Sequence, residues 1–355
     1  MRPLSVVMIT PYVAPIRGGI TSFVAGLGRG LRRLGLDVHI VAREGSTSEE
    51  VEVLGGSPRH FVGAAAAVVA KIRPDFIHAH AHWYALRAAL KSRSRSTRRV
   101  VFTFHTSWQT SNRVARRSLR RMLLQCDRVT FPSRFLKDEM KMGLPRDLVD
   151  VVPPGTEEQV VSPEAVNTLR EISIEAGWSR TIGVVSKFEW PEKVRGFRLL
   201  LQALRDPRLS EVGVVVAGGG SLLPAVQEEV LRLGLERRIR FLGDVADPRA
   251  LYTACHVYCH SSFQEGLSLA LLEAMRAGAP IVSLKLPFVQ EALQDRTHAL
   301  LVEPTPAALA DGINLLLSDQ TLASTLAKHA RDRACTEFDW NGIAGRFLSS
   351  YGVER

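Results

Sequence analysis

Cysteine is scarce in this chain. Four Cys (Cys126, Cys255, Cys259, Cys335) among 355 residues form no disulfide framework, and a reducing cytoplasm is the simplest setting for them. Long apolar runs are missing too. The longest, residues 61–70, is far shorter than the roughly 20 residues that cross a bilayer. No basic start with an apolar core and a cleavage site opens the chain, so no signal peptide is expected. Aromatics make up only 7% and no nucleic-acid-binding motif stands beside the basic residues, so nucleic acid is not expected as a partner. No internal repeat of solenoid length is evident. What is present, 46% hydrophobic and 23% charged residues, suffices for packed cores in one oversized or two ordinary domains.

Apolar β-branched runs alternate with helical stretches along the whole chain. Candidate strands fall at residues 4–10, 37–42, 76–79, 100–104, 128–131 and 149–152, and again at 181–186, 213–217, 239–242, 257–260, 281–284 and 299–302. Continuous Val/Ile runs with helices between them predict parallel sheets covered on both faces. Two such series predict two doubly wound α/β domains. Pro153-Pro154-Gly155-Thr156-Glu157 reads as the linker, since two prolines break regular structure.

Residues 261–282 read SSFQEGLSLALLEAMRAGAPIV. Glu265 lies in a loop before a short helix expected to start at Gly266, and Glu273 lies two turns further on. Gly266, Leu267 and Ser268 would supply amides with no partner inside the helix, at the positive end of its dipole. Such an end suits a diphosphate. A carboxylate on each side suits a ligand with hydroxyls flanking its phosphates, as in a nucleotide sugar.

The segment resembles the E-x7-E signature of retaining glycosyltransferases of the GT-B fold, and most closely glycosyltransferase family 4 (glycosyl transferases group 1). The resemblance implies two Rossmann-like domains facing a central cleft. Residues 1–153 would form the acceptor-side domain and 157–335 the nucleotide-sugar domain, with 336–355 a C-terminal helix crossing back to the first. It implies that Glu265 binds the hydroxyls of the transferred sugar and Glu273 the ribose. Gly18-Gly19, after the first strand, matches the family's glycine loop. His105, at the end of Val101-Phe102-Thr103-Phe104, matches a His at the reaction centre. His78-Ala79-His80 matches an H-x-H on the acceptor side.

In the second half, Ser186-Lys187 followed by Lys193-Val194-Arg195-Gly196 resembles the family's G-R-x…K-G element, whose cations hold the diphosphate. Ser186 stands where the family has Gly, Lys187 stands for its Arg, and Lys193 and Arg195 both fit the second cation. Gly219 falls in a strand-ending glycine turn and Val245 after a base-binding strand. Leu286-Pro287 replaces the usual Gly-Gly. His105, Lys187 and Glu265 are thus the expected catalytic residues. Gly18, Gly19, Lys193, Arg195, Gly219, Val245, Gly266, Leu267, Ser268 and Glu273 are the expected donor contacts. The donor would be a UDP- or GDP-sugar, with no cofactor.

A metal is not expected. No Asp-x-Asp motif lies near the donor residues. Strand alternation sends Cys259 and His260 to opposite faces, and Trp83-Tyr84 suggests that a helix begins before His82 can join His78 and His80. Structural zinc needs three or four converging ligands.

The net charge of +10 is clustered. Arg113, Arg116, Arg117, Arg120 and Arg121 fall within an arc of roughly 140° on one helix, taken at 100° per residue. This face reads either as solvated or as a surface meeting anionic headgroups. In the second case the protein would sit peripherally on the inner face of the plasma membrane, and its acceptor would be lipid-linked or a cell-envelope glycan precursor. Two other functions stay open at this point: a nucleotide-sugar epimerase of the same architecture, and a non-catalytic basic binding protein associated with membrane or nucleic acid.

Overall fold

The structure, a computed structural model, describes residues 2–107, 112–158, 160–245 and 247–353. The chain forms two compact units, Met1–Gly155 with Phe338–Arg355, and Thr156–Glu337.

The first unit is built on seven parallel strands: β1 (Ser5–Tyr12), β2 (Asp37–Glu44), β3 (Val51–Val53), β4 (Phe76–His80), β5 (Arg99–Thr103), β6 (Arg128–Phe131) and β7 (Val149–Val151). Their spatial order is β3-β2-β1-β4-β5-β6-β7. Val6, Val7, Met8 and Ile9 are fully buried, as expected of a central strand covered on both faces. The sequence pattern predicted six of these strands and missed β3. Val51-Glu52-Val53 is an edge strand bonded only to β2, too short to show a period.

The helix Trp340–Tyr351 belongs to this unit. It lies against the helix Gly19–Arg33, where a Cβ on Gly26 would stand 2.2 Å from the Trp340 ring and one on Gly30 2.8 Å from Ala344 Cβ. The two glycines let the helices meet at backbone distance. Tyr351 stacks on Phe76 at 5.0 Å.

The second unit carries six parallel strands: β8 (Arg180–Val185), β9 (Val212–Ala217), β10 (Ile239–Gly243), β11 (Val257–His260), β12 (Ile281–Leu284) and β13 (Leu300–Val302). They are ordered β10-β9-β8-β11-β12-β13. Ile182, Val214, Val257 and Val282 meet Phe197, Leu200, Leu309 and Ile313 in one buried cluster. Prolines here start helices rather than break them. Pro163, Pro191 and Pro306 each open one, where a fixed φ fits and no amide bond is lost.

In both sheets the order reverses beside the first strand of the series, between β1 and β4 and between β8 and β11. Doubly wound sheets hold ligands outside the carboxyl ends of their strands at such a switch point.

Candidate active site

At the second switch point, β8 ends into Ser186-Lys187 and β11 ends at His260. The helix Pro191–Ala203 approaches this end of the sheet very closely. A Cβ on Gly196 would stand 1.8 Å from the Ser261 carbonyl oxygen, so only glycine fits. The approach carries Lys193 onto Glu265, and their ammonium and carboxylate groups form an ion pair of low exposure, 15% and 21%. Burial pulls Lys193 down to about 8, which leaves it a cation at neutral pH. Arg195 takes a different place, its guanidinium 3.9 Å from the centre of the Phe263 ring. Of the two cations that fitted the sequence pattern, Lys193 is the one beside Glu265.

The helix after Glu265 begins at Leu269, not at Gly266. Ser268 is its cap: the hydroxyl accepts from the Leu271 amide at 3.4 Å and the carbonyl from Leu272 at 3.1 Å. Gly266, Leu267 and Ser268 therefore form the approach loop, and the first-turn amides belong to Leu269, Ala270 and Leu271. A serine cap competes better for the helix start than a glycine two residues earlier.

Glu273 lies on this helix and accepts a hydrogen bond from the Tyr252 hydroxyl at 3.2 Å. Burial raises its carboxyl to about 7, against the opposing pull of Tyr252 and Arg249.

The glycine turn 218–220 is pinned from two sides. The Gly219 amide donates to Asp244 Oδ1 at 2.9 Å, and its carbonyl accepts from Phe188 at 2.8 Å. The Gly219 amide is thus already engaged. Val245 follows β10 in the next loop. Lys187 lies near Glu189, whose carboxyl is held low first by a 2.7 Å bond from Ser221 Oγ and then by the Lys187 charge.

The first switch point holds imidazoles. His78 and His80 share one face of β4 with ring centres 4.1 Å apart. His78 bonds Thr103 Oγ1 at 2.6 Å and the Tyr351 hydroxyl at 2.8 Å. His80 Nδ1 lies 3.3 Å from His105 Nε2, and Phe23 meets His105 edge-on at 4.6 Å. Burial first, and then neighbouring His, push all three far below the usual imidazole range; His78 and His105 reach about 3. His82 caps the helix Trp83–Ser92 and stacks on Tyr84. Gly18 opens the helix Gly19–Arg33 with φ 153° and no side-chain cap, which leaves first-turn amides at the end of β1. Among the described residues, no three His, Cys, Asp or Glu side chains are grouped to hold a metal.

The helix Arg113–Leu123 buries Leu119 and Leu123. Its five arginines divide. Arg116 Nη2 donates to the Met140 carbonyl at 2.7 Å and Arg120 Nε to that of Met142 at 3.1 Å. All five residues are exposed, and the division lies in these bonds to backbone carbonyls.

Two family models match consecutive parts of the chain. Residues 17–160 match Glycosyltransferase Family 4 and residues 171–333 match Glycosyl transferases group 1. The chain belongs to these glycosyltransferases. The D-inositol 3-phosphate glycosyltransferase of Salinispora arenicola is 33% identical over 225 residues, 58% of this chain and 49% of that protein. The match therefore spans about half the length of that relative. The phosphatidyl-myo-inositol mannosyltransferase of Mycobacterium leprae is 27% identical over 97% of this chain and 95% of its own. Among solved structures, Anabaena HepE in complex with UDP and glucose superposes with a TM-score of 0.84 at 21% identity, covering 98% of this chain and 99% of HepE. The fold of this glycosyltransferase is accordingly GT-B.

Sequence reasoning did not find the Lys193–Glu265 pair, the Tyr252 partner of Glu273 or the Asp244 clamp on Gly219. Each joins residues 21 or more apart in sequence. Gly196 was the available signal for the first, since a glycine inside a helix marks a close approach. In this glycosyltransferase, a cavity of about 440 Å³ lies at the other end of the second sheet, lined by Arg180, His256, Pro280 and Lys328. Each of the first three stands at or just before the start of a strand, at the opposite end of the sheet from the β8/β11 switch point.

Proposed function

We propose that the protein is a retaining, metal-independent transferase that moves a sugar from a nucleoside-diphosphate sugar to a hydroxyl acceptor. The observation that carries this reading is the Lys193–Glu265 pair at the β8/β11 switch point. An ammonium there offsets charge growing on a leaving diphosphate, and a carboxylate there accepts from sugar hydroxyls. Lys187 supplies a second cation, and Glu273 takes the ribose hydroxyls. His105 lines the reaction centre on the acceptor side. No step requires a covalent intermediate on the enzyme: the acceptor hydroxyl attacks the anomeric carbon from the face the diphosphate leaves, and the leaving phosphate helps remove its proton.

The names of the relatives support this donor and acceptor chemistry. HepE was solved with UDP and glucose, and two relatives are named for D-inositol 3-phosphate and for phosphatidyl-myo-inositol. A lipid-linked acceptor fits the exposed arginines of the helix Arg113–Leu123 and a peripheral place at the inner face of the plasma membrane. Among the described residues no helix is long and apolar enough to cross a membrane.

The test is a thermal-shift panel of UDP-, GDP- and ADP-sugars, followed by turnover of the best binder with inositol phosphate and lipid acceptors, with and without EDTA. The expected result is one preferred base, release of its diphosphate, and full activity in EDTA. Activity abolished by EDTA and restored by magnesium or manganese overturns metal independence. Absence of any shift overturns the donor reading.

A further inference from the structure

His260 is the last residue of β11, at the switch point itself, and is only 4% exposed. Its register partner on β12 is Ser283. Two bonds join them. Ser283 Oγ donates its hydrogen to the His260 carbonyl at 3.0 Å and lies 3.1 Å from His260 Nδ1. A hydroxyl has one hydrogen to give. With that hydrogen on the carbonyl, the Nδ1 bond requires the proton on the imidazole. Nε2 is then a bare acceptor, and it is buried without a partner. Phe288 meets the ring edge-on at 6.4 Å. The ammonium of Lys193 is close enough for its charge to bear on the imidazole, but that ammonium is held by Glu265.

A buried acceptor left unpaired is costly, and native proteins retain few of them. A ligand hydroxyl placed there removes the cost, and an analogue without it does not. Building on the donor site described above, we propose that His260 Nε2 accepts a hydroxyl hydrogen from the transferred sugar, beside Glu265, and selects donors that present a hydroxyl there. Ser283 is the positioning residue that fixes the tautomer.

Two substitutions separate this role from a structural one. His260→Asn keeps an atom near Nδ1 for Ser283 and removes the Nε2 acceptor. His260→Gln places its amide near Nε2 and gives up the Ser283 bond. Calorimetry with UDP-glucose, GDP-mannose, UDP and GDP reads the sugar contact apart from the nucleotide. The nucleotide sugar that wild type prefers should bind His260→Asn about 10- to 100-fold more weakly. His260→Gln should recover most of that affinity, and the free diphosphate should bind all three proteins alike. His260→Asn binding like wild type overturns the proposal. So does a loss in His260→Gln equal to or greater than that in His260→Asn, or a parallel loss of free diphosphate, because the histidine would then serve the fold. Wild type binding neither nucleotide sugar nor diphosphate would remove the donor reading and this inference with it.

Discussion

At the β1/β4 switch of the first unit the polar side chains are neutral imidazoles, whereas at the β8/β11 switch of the second a neutral His260 stands beside the Lys193–Glu265 ion pair. The strands around the two points follow the same order, so the scaffold does not dictate the difference. Ions at the end of a buried sheet are stable only when paired or hydrogen-bonded. The second unit meets that condition with Lys193 on Glu265, and meets it partly at Glu273, where a phenol bond leaves the carboxyl raised to about 7. The first unit avoids the cost by keeping His78, His80 and His105 uncharged. Charged groups suit a diphosphate, and neutral acceptors and donors suit a hydroxyl substrate. One strand order thus carries two electrostatic settings.

The largest expected effect comes from removing the ions. Lys193→Met should lower kcat by about 10²- to 10³-fold, the scale of losing one group that stabilises transition-state charge. Lys187→Ala should also lower turnover substantially. Arg195→Met should change kcat only a few-fold, because that guanidinium lies over Phe263. Steady-state kinetics on variants with wild-type melting temperatures decide this. Equal losses in Lys193→Met and Arg195→Met would end the assignment of Lys193 as the second cation.

Glu273→Gln sharpens the contrast from the other side. Charged hydrogen bonds to ribose hydroxyls are worth about 1.5–3 kcal/mol each, so affinity for the nucleoside diphosphate should fall at least 10-fold. Stability should move the opposite way. The folded-state carboxyl titrates near 7 rather than at the ordinary 4.5. The folded state therefore holds more protons between those values, and stability drops as pH rises through that window. Glu273→Gln escapes the drop, so it should melt higher than wild type at pH 8, by up to about 3 kcal/mol in stability, and lose that advantage below pH 4.5. Unchanged diphosphate affinity would take Glu273 out of the site.

Much of the fold behind this contrast is legible in the sequence. Unbroken runs such as Val212–Ala217 and Ile281–Leu284 announced buried parallel strands, and the stretch after Glu265 announced the short helix that carries Glu273. The limits were set by partners distant in sequence. The choice between Lys193 and Arg195 turned on how closely a helix could approach Ser261, and the helix start turned on which residue won the cap. The basic helix was legible as a face, but not that Arg116 and Arg120 spend their hydrogen bonds on the carbonyls of residues 140–143. That division yields a smaller effect. Arg113, Arg117 and Arg121 changed together to Ser should weaken binding to anionic vesicles roughly 10-fold at physiological salt, given about 1 kcal/mol per Arg before screening. Arg116 and Arg120 changed to Ser should instead lower the melting temperature. Co-sedimentation at low and high salt, paired with melting curves, reads both. Wild type that ignores anionic vesicles at low salt removes the membrane role and leaves the donor site untouched.

The smallest effect tests the neutral side of the comparison. His78, His80 and His105 titrate far below an ordinary imidazole near 6.5 because burial opposes their charged form. Below pH 6.5 the unfolded chain binds protons that the folded first unit refuses. Stability is therefore fully present above that pH and lost progressively as pH falls toward the folded values. One pH unit below 6.5, each such histidine costs about 1.4 kcal/mol. His80→Asn keeps an atom near Nδ1 for His105 and removes one titration. Between pH 7.5 and 5.5 its melting temperature should therefore fall less than that of wild type, by roughly 3 °C for a unit of this size. Scanning fluorimetry across that range is sufficient. If wild type and His80→Asn lose stability in parallel, the imidazoles at the first switch point are not held neutral, and the charge contrast between the two units does not stand.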